Sequence, residues 1–226
     1  MYKFSLLILC AGFGKRMLDL TIKKPKPLLN FNNKILLSNT INFFKDIGCN
    51  EFFINTHYLH TKIENYVNKN FSENNINLIF EPSILGTGGG IKNIFNYTKN
   101  NNICVVNSDI FWQKKNKLEL LNFLQDYNNV THCKILLSNK NSFFGLKKDR
   151  GDFSIKKKNV SNWSEGKDII FYSGFQIVSK HIFKNKPKIF PMNEVWNNLI
   201  IDKNLKGTLI NSNILHVGDK SSYINL

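Results

Sequence analysis

A glycine-rich segment near the start of the chain carries residue types that bind phosphate. It follows an apolar run, and its sequence is Ala11-Gly12-Phe13-Gly14-Lys15-Arg16. Glycines let backbone N–H groups approach phosphate oxygens, and Arg16 can contact two such oxygens at once. The segment does not fit the GxxxxGK[ST] pattern of a P-loop, and Met17 stands where a dinucleotide-binding GxGxxG segment has its third glycine. The segment therefore predicts a phosphate site of another kind.

A second basic segment, Lys24-Pro25-Lys26-Pro27-Leu28, follows shortly after the first. Prolines on both sides of Lys26 restrict the backbone there. A lysine held in this way can place its positive charge on a phosphate. Because it comes so soon after the glycine-rich segment, we interpret Lys26 as part of the same site rather than as a surface lysine.

The elements that must position these residues alternate between strand and helix. Apolar runs predict strands at 4–9, 51–55, 77–81 and 103–106, and helical spacing predicts helices at 35–44, 61–70 and 90–97. Such alternation indicates an α/β fold, here a Rossmann-like, mostly parallel sheet with helices on both faces. Ligands of these sheets bind beyond the carboxyl ends of the strands. We therefore expect the glycine-rich segment, residues 81–90 and Asp109 to meet at one edge.

The second half of the chain is richer in strands. Strands are predicted at 133–137, 151–155 and 169–178, followed by a loop at 184–188 and a short helix at 194–201. We expect a single domain over residues 1–226, in which 1–125 bind the nucleotide and 126–226 bind the second substrate.

Taken together, the motifs resemble the signature of the sugar-1-phosphate nucleotidyltransferases, or nucleotide-sugar pyrophosphorylases. Cys10 stands where that family usually has alanine. The resemblance extends to Gly86-Thr87-Gly88-Gly89-Gly90, similar to a segment that borders the base and sugar sites, and to Val106-Asn107-Ser108-Asp109, similar to the metal-binding segment. It implies the fold of the nucleotide-diphospho-sugar transferases in a monomer or homodimer. Some relatives carry a C-terminal β-helix, which we do not expect here.

The resemblance also implies roles for individual residues. Arg16 would hold the β- and γ-phosphates, Lys26 would hold the α-phosphate and the sugar phosphate, and Asp109 would bind Mg²⁺. The residues expected to bind the nucleotide are Ala11, Gly12, Gly14, Lys15, Gly88 and Gly89. Those expected at the second substrate are Glu81, Asn107, Arg150, Gly174 and Glu194. Glu81 could instead cap the loop that follows it, and Arg150 could pair with a carboxylate on the sugar.

The second metal ligand of the family is an aspartate near the C-terminus, and this chain departs from that pattern. The matching segment is Leu215-His216-Val217-Gly218-Asp219, with His216 at the ligand position. Imidazole is a poorer ligand than carboxylate for Mg²⁺. Three alternatives follow: His216 binds the metal, with Mn²⁺ possible; Asp219 replaces it; or Asp109 alone anchors the ion. We expect His216 to lie at the metal with Asp109.

Among family members, the segments starting at Thr87, Arg150 and Tyr172 are most similar to small enzymes that uridylylate N-acetylmuramate 1-phosphate in cell-wall recycling. We therefore expect UTP and N-acetylmuramate 1-phosphate as substrates. The alternatives within the class are a mannose-1-phosphate guanylyltransferase and a phosphocholine cytidylyltransferase. An NAD-binding oxidoreductase and a basic RNA-binding module are more remote, because the first leaves Lys26 unexplained and the second rests on net charge alone.

Composition limits the partners and the compartment. The formal net charge is +15, but the lysines are scattered among asparagines, as in a coding sequence biased toward A and T, so no nucleic-acid partner is expected. The four cysteines form no CxxC pair, so we expect neither a zinc site nor a disulfide. Free cysteines fit a reducing cytoplasm. The first apolar run is short for a signal peptide, and nothing approaches the ~18 apolar residues of a membrane helix.

Overall fold

The computed structural model describes residues 3–146 and 148–226. Its strands are β1 (Phe4–Leu9), β2 (Asn30–Phe31), β3 (Lys34–Ile35), β4 (Cys49–Thr56), β5 (Ile76–Phe80), β6 (Asn102–Asn107), β7 (Ile110–Phe111), β8 (Cys133–Asn139), β9 (Phe143–Phe144), β10 (Phe153–Lys156), β11 (Asn159–Asn162), β12 (Ile170–Ser179), β13 (Leu205–Ile210) and β14 (Ile214–His216). Its α-helices are α1 (Leu36–Asp46), α2 (His60–Asn70), α3 (Gly86–Ile94), α4 (Lys117–Leu124), α5 (Met192–Ile201) and α6 (Lys220–Asn225). Short 3₁₀ turns include Lys15–Thr21 and Lys26–Leu28.

A nine-stranded sheet in the order β10-β11-β13-β8-β12-β6-β1-β4-β5 forms the centre of the structure. Strands β6, β1, β4 and β5 run parallel, as predicted for the first half. Strand β12 is antiparallel to both of its neighbours, β6 and β8. The sheet is therefore mixed: the strands of the first half are parallel as expected, and the strand-rich second half adds mainly antiparallel pairings, so the sheet as a whole is less parallel than predicted. An apolar run has the same pattern in either direction, so the sequence of β12 does not specify which way it runs.

Strand β1 shows why the buried strands are continuous apolar runs. Leu6 and Ile8 join a core cluster on one face that includes Phe44 of α1. Leu7 points the other way, into a cluster with Ile91 of α3. Successive side chains of a strand alternate between faces, so a strand covered on both sides needs apolar residues at every position. None of the helices within residues 3–146 and 148–226 is long and apolar enough to span a bilayer.

Helix α3 begins earlier than predicted, because its glycines lie inside the helix rather than in a loop before it. An ideal Cβ on Gly88 would meet the Phe190 ring at 2.3 Å, and one on Gly89 would meet the Lys188 carbonyl oxygen at 2.4 Å. The N–H groups of both glycines donate to the Phe190 carbonyl, at 3.0 and 3.1 Å. These glycines therefore let the segment before α5 pack directly against the backbone of α3.

This packing predicts that Gly89→Ala destabilises the protein. Alanine favours a helix by about 1 kcal/mol over glycine, but overpacking against backbone that cannot move aside costs roughly 1–3 kcal/mol. We expect a lower urea midpoint for Gly89→Ala and an unchanged midpoint for Gly12→Ala, whose Cβ would have nothing within 4 Å. Equal midpoints for the two variants would contradict the close contact.

Candidate active site

A cavity of about 570 Å³ opens where β1, β4 and β6 end, which is where the sequence placed the site. Its walls combine the glycine-rich segment, the basic segment and the residues that follow β5 and β6. They are Leu9, Cys10, Ala11, Gly12, Phe13, Gly14, Lys15, Arg16, Lys26, Pro27, Asn55, Glu81, Ile84, Gly86, Thr87, Asn107, Ser108, Asp109 and Gly218. Thus the predicted residues Ala11, Gly12, Gly14 and Lys15 all face one cavity.

The glycine-rich segment is held by contacts on its outer side. Gly14 has φ +67°, and its carbonyl accepts from Met17 N at 2.8 Å and from Thr21 Oγ1 at 3.1 Å. The Phe13 ring lies edge-on to His57, with ring centroids 5.6 Å apart. Gly12, by contrast, faces open space. The contacts of Phe13 and Gly14 fix the segment, and the open space beside Gly12 leaves room for a ligand close to its backbone.

Lys26 and Asp109 form a buried ion pair at one end of the cavity. Lys26 Nζ lies 2.8 Å from Asp109 Oδ2 and donates a second hydrogen bond to the Gly218 carbonyl at 3.0 Å. His216 Nε2 lies 3.4 Å from the same Asp109 oxygen. Burial opposes ionisation of Asp109, but Lys26 and His216 outweigh it and hold the pKa of this carboxyl well below its usual range. The carboxylate is therefore ionised and balanced by cations.

Arg16 completes a positively charged rim. Its guanidinium Nη2 is 3.9 Å from Asp109 Oδ2, and its side chain is 64% exposed. An arginine so exposed gains little from a single ion pair, so it can turn toward an incoming anion at small cost. Arg16 and Lys26 thus approach the same region from two sides.

The C-terminal segment reaches this cluster through β14. Strand β14 pairs with β7, which follows Asp109 directly, and Val217 N donates to the Asp109 carbonyl at 2.8 Å. Asp109 Oδ1 and His216 Nδ1 are buried without a hydrogen-bond partner among the described residues. Asp219 instead caps α6 by accepting from Ser222 N at 2.8 Å. Of the alternatives for a second metal contact, the structure therefore brings His216 and not Asp219 to Asp109.

A buried carboxylate, Glu81, lines another part of the same cavity. Its Oε1 accepts from Asn55 Nδ2 at 2.8 Å, and Asn55 Oδ1 accepts in turn from Cys10 N at 2.9 Å. Burial raises the pKa of the Glu81 carboxyl, against the hydrogen bond from Asn55 that lowers it. Sequence reasoning missed Asn55, whose only signal was its position at the end of a predicted strand. Cys10 is no nucleophile, because burial raises the pKa of its thiol to about 12.

A second cavity of about 620 Å³ adjoins the first and shares Leu9, Thr87 and Asn107 with it. The remaining residues around it come from the second half of the chain. They are Lys148, Arg150, Gly151, Asp152, Phe153, Asn162, Tyr172, Gln176, Met192, Asn193, Trp196 and Asn197. Of the predicted second-substrate residues, Asn107 and Arg150 lie here.

Four predicted site residues do not face either cavity. Gly88 and Gly89 pack against the segment before α5, and their N–H groups are already bonded to Phe190. Gly174 has φ +84° and is buried under Ile110, which an ideal Cβ would meet at 2.7 Å. Glu194 lies on the exposed side of the first turn of α5. The three glycines therefore allow close packing behind the site, and helix phase turns Glu194 away from it.

The chain belongs to the nucleotidyl transferase family, whose model matches residues 5–160. It is 33% identical over 103 residues to a D-glycero-α-D-manno-heptose 1-phosphate guanylyltransferase of Aneurinibacillus thermoaerophilus, covering 46% of this chain and 45% of that protein. It is 38% identical over 63 residues to a CTP:phosphoglutamine cytidylyltransferase of Campylobacter jejuni, covering 28% and 25%. The matched region thus spans about half the length of the first relative and a quarter of the second.

Among solved structures, the chain is similar to HddC from Yersinia pseudotuberculosis complexed with GMP-PN. The two are 22% identical with a TM-score of 0.76, over 98% of this chain and 96% of that chain. A UDP-glucose pyrophosphorylase complexed with UDP-glucose gives a TM-score of 0.75 at 16% identity, over 99% and 96%. These likenesses establish the nucleotidyltransferase-type α/β fold with its mixed sheet.

The Lys26–Asp109 pair predicts an acid-sensitive contribution to stability. Because the folded-state pKa of Asp109 is lowered, its stabilisation is complete above the unfolded-state pKa of about 3.9 and is lost as the pH falls below it. We expect Asp109→Asn to lower the free energy of unfolding by about 2 kcal/mol at neutral pH. Below about pH 4 the difference in this free energy between the variant and wild type should become smaller. Urea unfolding measured across this pH range checks the prediction.

Asp149→Asn provides the control, because Asp149 pairs with Lys140 on the surface with its side chain fully exposed. It should leave stability unchanged at every pH. If the difference in free energy of unfolding between wild type and Asp109→Asn stayed constant from neutral to acid pH, the lowered pKa of Asp109 would be contradicted.

Proposed function

We propose that the protein transfers a nucleotidyl group from a nucleoside triphosphate to a sugar 1-phosphate and releases pyrophosphate. The observation that carries this proposal is the pairing of two cavities. One has Arg16, Lys26 and a glycine-rich backbone for a triphosphate, and the other is polar and joined to it at Asn107. Family membership supports the same reaction. Both halves of the chain contribute walls, so we propose that 1–125 and 126–226 work as one domain.

In this reaction an oxygen of the sugar phosphate attacks the α-phosphorus. A new P–O bond forms, the bond from the α-phosphorus to the bridging oxygen breaks, and pyrophosphate leaves with the electron pair. The nucleophile is already an anion, so no general base is required. Catalysis then depends on positioning and on neutralising phosphate charge. We assign Lys26 to the α-phosphate and sugar phosphate, and Arg16 to the β- and γ-phosphates.

The residues around Asp109 fit a divalent cation of the Mg²⁺ type. Asp109 Oδ1 is a buried carboxylate oxygen without a partner among the described residues. The His216 imidazole, whose Nε2 lies 3.4 Å from Asp109 Oδ2, is a further candidate ligand. No group of three or more His, Cys, Asp or Glu side chains converges as a metal site within the described residues. Mg²⁺ commonly uses one or two carboxylates and completes its shell with phosphate and water. When bound, the ion would neutralise phosphate charge, with Asp109 as its anchor and Mn²⁺ as the alternative that an imidazole ligand favours.

For the base, we propose guanine, which replaces our sequence-based expectation of UTP. The similarity to the guanylyltransferase of Aneurinibacillus thermoaerophilus supports this choice. So does Glu81, a buried carboxylate in the nucleotide cavity. A carboxylate offers acceptors only, and the Watson–Crick edge of guanine offers two adjacent donors, N1–H and N2–H₂. The uracil edge offers one donor between two carbonyls. UTP with N-acetylmuramate 1-phosphate remains a second candidate, because Arg150 at the second cavity could pair with the lactyl carboxylate.

Pyrophosphate release tests the reaction. The protein is incubated with Mg²⁺, each of GTP, UTP, CTP and dTTP, and each of mannose 1-phosphate, D-glycero-D-manno-heptose 1-phosphate, N-acetylmuramate 1-phosphate and phosphocholine. We expect turnover with GTP and a sugar 1-phosphate, and a loss of about 100-fold in Arg16→Ala and in Lys26→Met, because each removes charge neutralisation in a preorganised site.

Lys24→Ala is the matched control, since Lys24 is an exposed lysine of the same segment that lines neither cavity. It should retain wild-type turnover. Release of pyrophosphate that needs no sugar phosphate, or normal turnover in both site variants, would overturn the proposed function.

The proposed role of Glu81 predicts a change in base preference. Glu81→Gln replaces one acceptor with a donor and removes the charge, so kcat/KM for GTP should fall about 10- to 100-fold. The value for UTP should change much less. Glu73→Gln, which alters an exposed glutamate outside both cavities, should leave the ratio of the two values unchanged. An unchanged GTP/UTP ratio in Glu81→Gln would leave Glu81 with its alternative role of capping the loop that follows β5, where its Oε2 accepts from Leu85 N at 3.4 Å.

A further inference from the structure

Tyr172 has an unsatisfied hydroxyl at the second cavity. The residue lies on β12 and lines that cavity, and its hydroxyl oxygen is buried without a hydrogen-bond partner among the described residues. Leaving a buried polar group unpaired costs roughly 1–3 kcal/mol. Native proteins contain few such groups, and each one calls for an explanation. Burial also raises the pKa of Tyr172 well above its usual range, so the hydroxyl is a neutral donor at physiological pH.

The ring that carries this hydroxyl is fixed in place. It packs against Trp196 with ring centroids 4.9 Å apart. Trp196 is itself held, because its Nε1 donates to Gln176 Oε1 at 3.0 Å. The backbone of Tyr172 is tied as well, since its N–H donates to Asp152 Oδ2 at 3.1 Å. The hydroxyl therefore cannot turn to another protein partner without disturbing this packing.

Other side chains around the cavity are also available for hydrogen bonds. The amides of Asn107, Asn193 and Asn197 line it, and Asn193 and Asn197 are exposed. Each amide offers both donors and an acceptor, which is what a ring of hydroxyl groups requires. Asn107 also lines the first cavity, where Lys26 lies. A sugar ring in the second cavity could therefore direct its 1-phosphate toward Lys26.

We propose that the Tyr172 hydroxyl donates a hydrogen bond to an oxygen of the acceptor sugar and thereby helps to select which sugar 1-phosphate is used. The inference rests on the proposed function and adds a specificity-determining residue to it. The ligand class is a polyhydroxylated ring whose substituents place an oxygen opposite Tyr172 while the 1-phosphate lies in the first cavity. The unpaired hydroxyl is then a cost to the free protein that the acceptor removes on binding.

The test compares Tyr172→Phe with wild type for stability and for kinetics. Removing a hydroxyl that has no partner should leave the thermal midpoint unchanged or slightly raised. The KM for the accepted sugar 1-phosphate should rise about 3- to 10-fold, the net worth of one neutral hydrogen bond. The KM for the triphosphate should stay the same. Tyr97→Phe is the control, because Tyr97 is an exposed tyrosine that lines neither cavity.

Deoxy analogues of the accepted sugar 1-phosphate locate the contact. The analogue that lacks the contacted oxygen should bind wild type and Tyr172→Phe equally, while the other analogues should still distinguish them. A lowered thermal midpoint with unchanged acceptor KM would overturn the proposal and give Tyr172 a structural role. Normal wild-type turnover with equal acceptor KM in both proteins would overturn it while leaving the proposed function intact. No wild-type turnover with any tested pair would overturn both.

Discussion

The buried ion pair between Lys26 and Asp109 joins distant parts of the chain. Lys26 lies in the turn after the glycine-rich segment, Asp109 follows β6, and Gly218 of the C-terminal segment accepts the second hydrogen bond of the lysine. A buried charge is tolerated only when it is paired and hydrogen-bonded. Both hydrogen bonds of Lys26 are therefore made only when the C-terminal segment has folded against the first half of the chain.

The same pair sets the electrostatics of the cavity. A single carboxylate, Asp109, is approached by Lys26, by His216 and, at longer range, by Arg16. The two cations Lys26 and Arg16 therefore outnumber this one carboxylate, and there is open space beside Gly12. Phosphate groups would supply the missing negative charge. The overall charge of +15 is spread widely, and in this cavity basic side chains lie beside a glycine-rich backbone.

Glycine serves two purposes in this fold, and the distinction matters for function. Gly12 leaves space for a ligand, whereas Gly88 and Gly89 leave space for the segment that leads into α5. That segment matters because α5 carries Trp196, which holds Tyr172 at the second cavity. Close packing of this segment against α3 thus helps to position the residues of α5 that line the second cavity. An unsatisfied hydroxyl such as that of Tyr172 is the kind of local cost that functional sites retain.

The sequence by itself predicted the strands of the first half, since a short run such as Leu6–Leu9 is apolar at every position and is typical of a strand covered on both faces. It also predicted that Gly12, Arg16 and Lys26 lie at one site, because they belong to short neighbouring segments whose chemistry is local. It could not determine the direction of β12, the early start of α3 or the outward orientation of Glu194. Those depend on what each element packs against, and the contacts come from residues far away in the chain. Only the tertiary structure could bring His216 to Asp109 and leave Tyr172 without a partner, because both facts depend on which side chains the completed fold places next to each other.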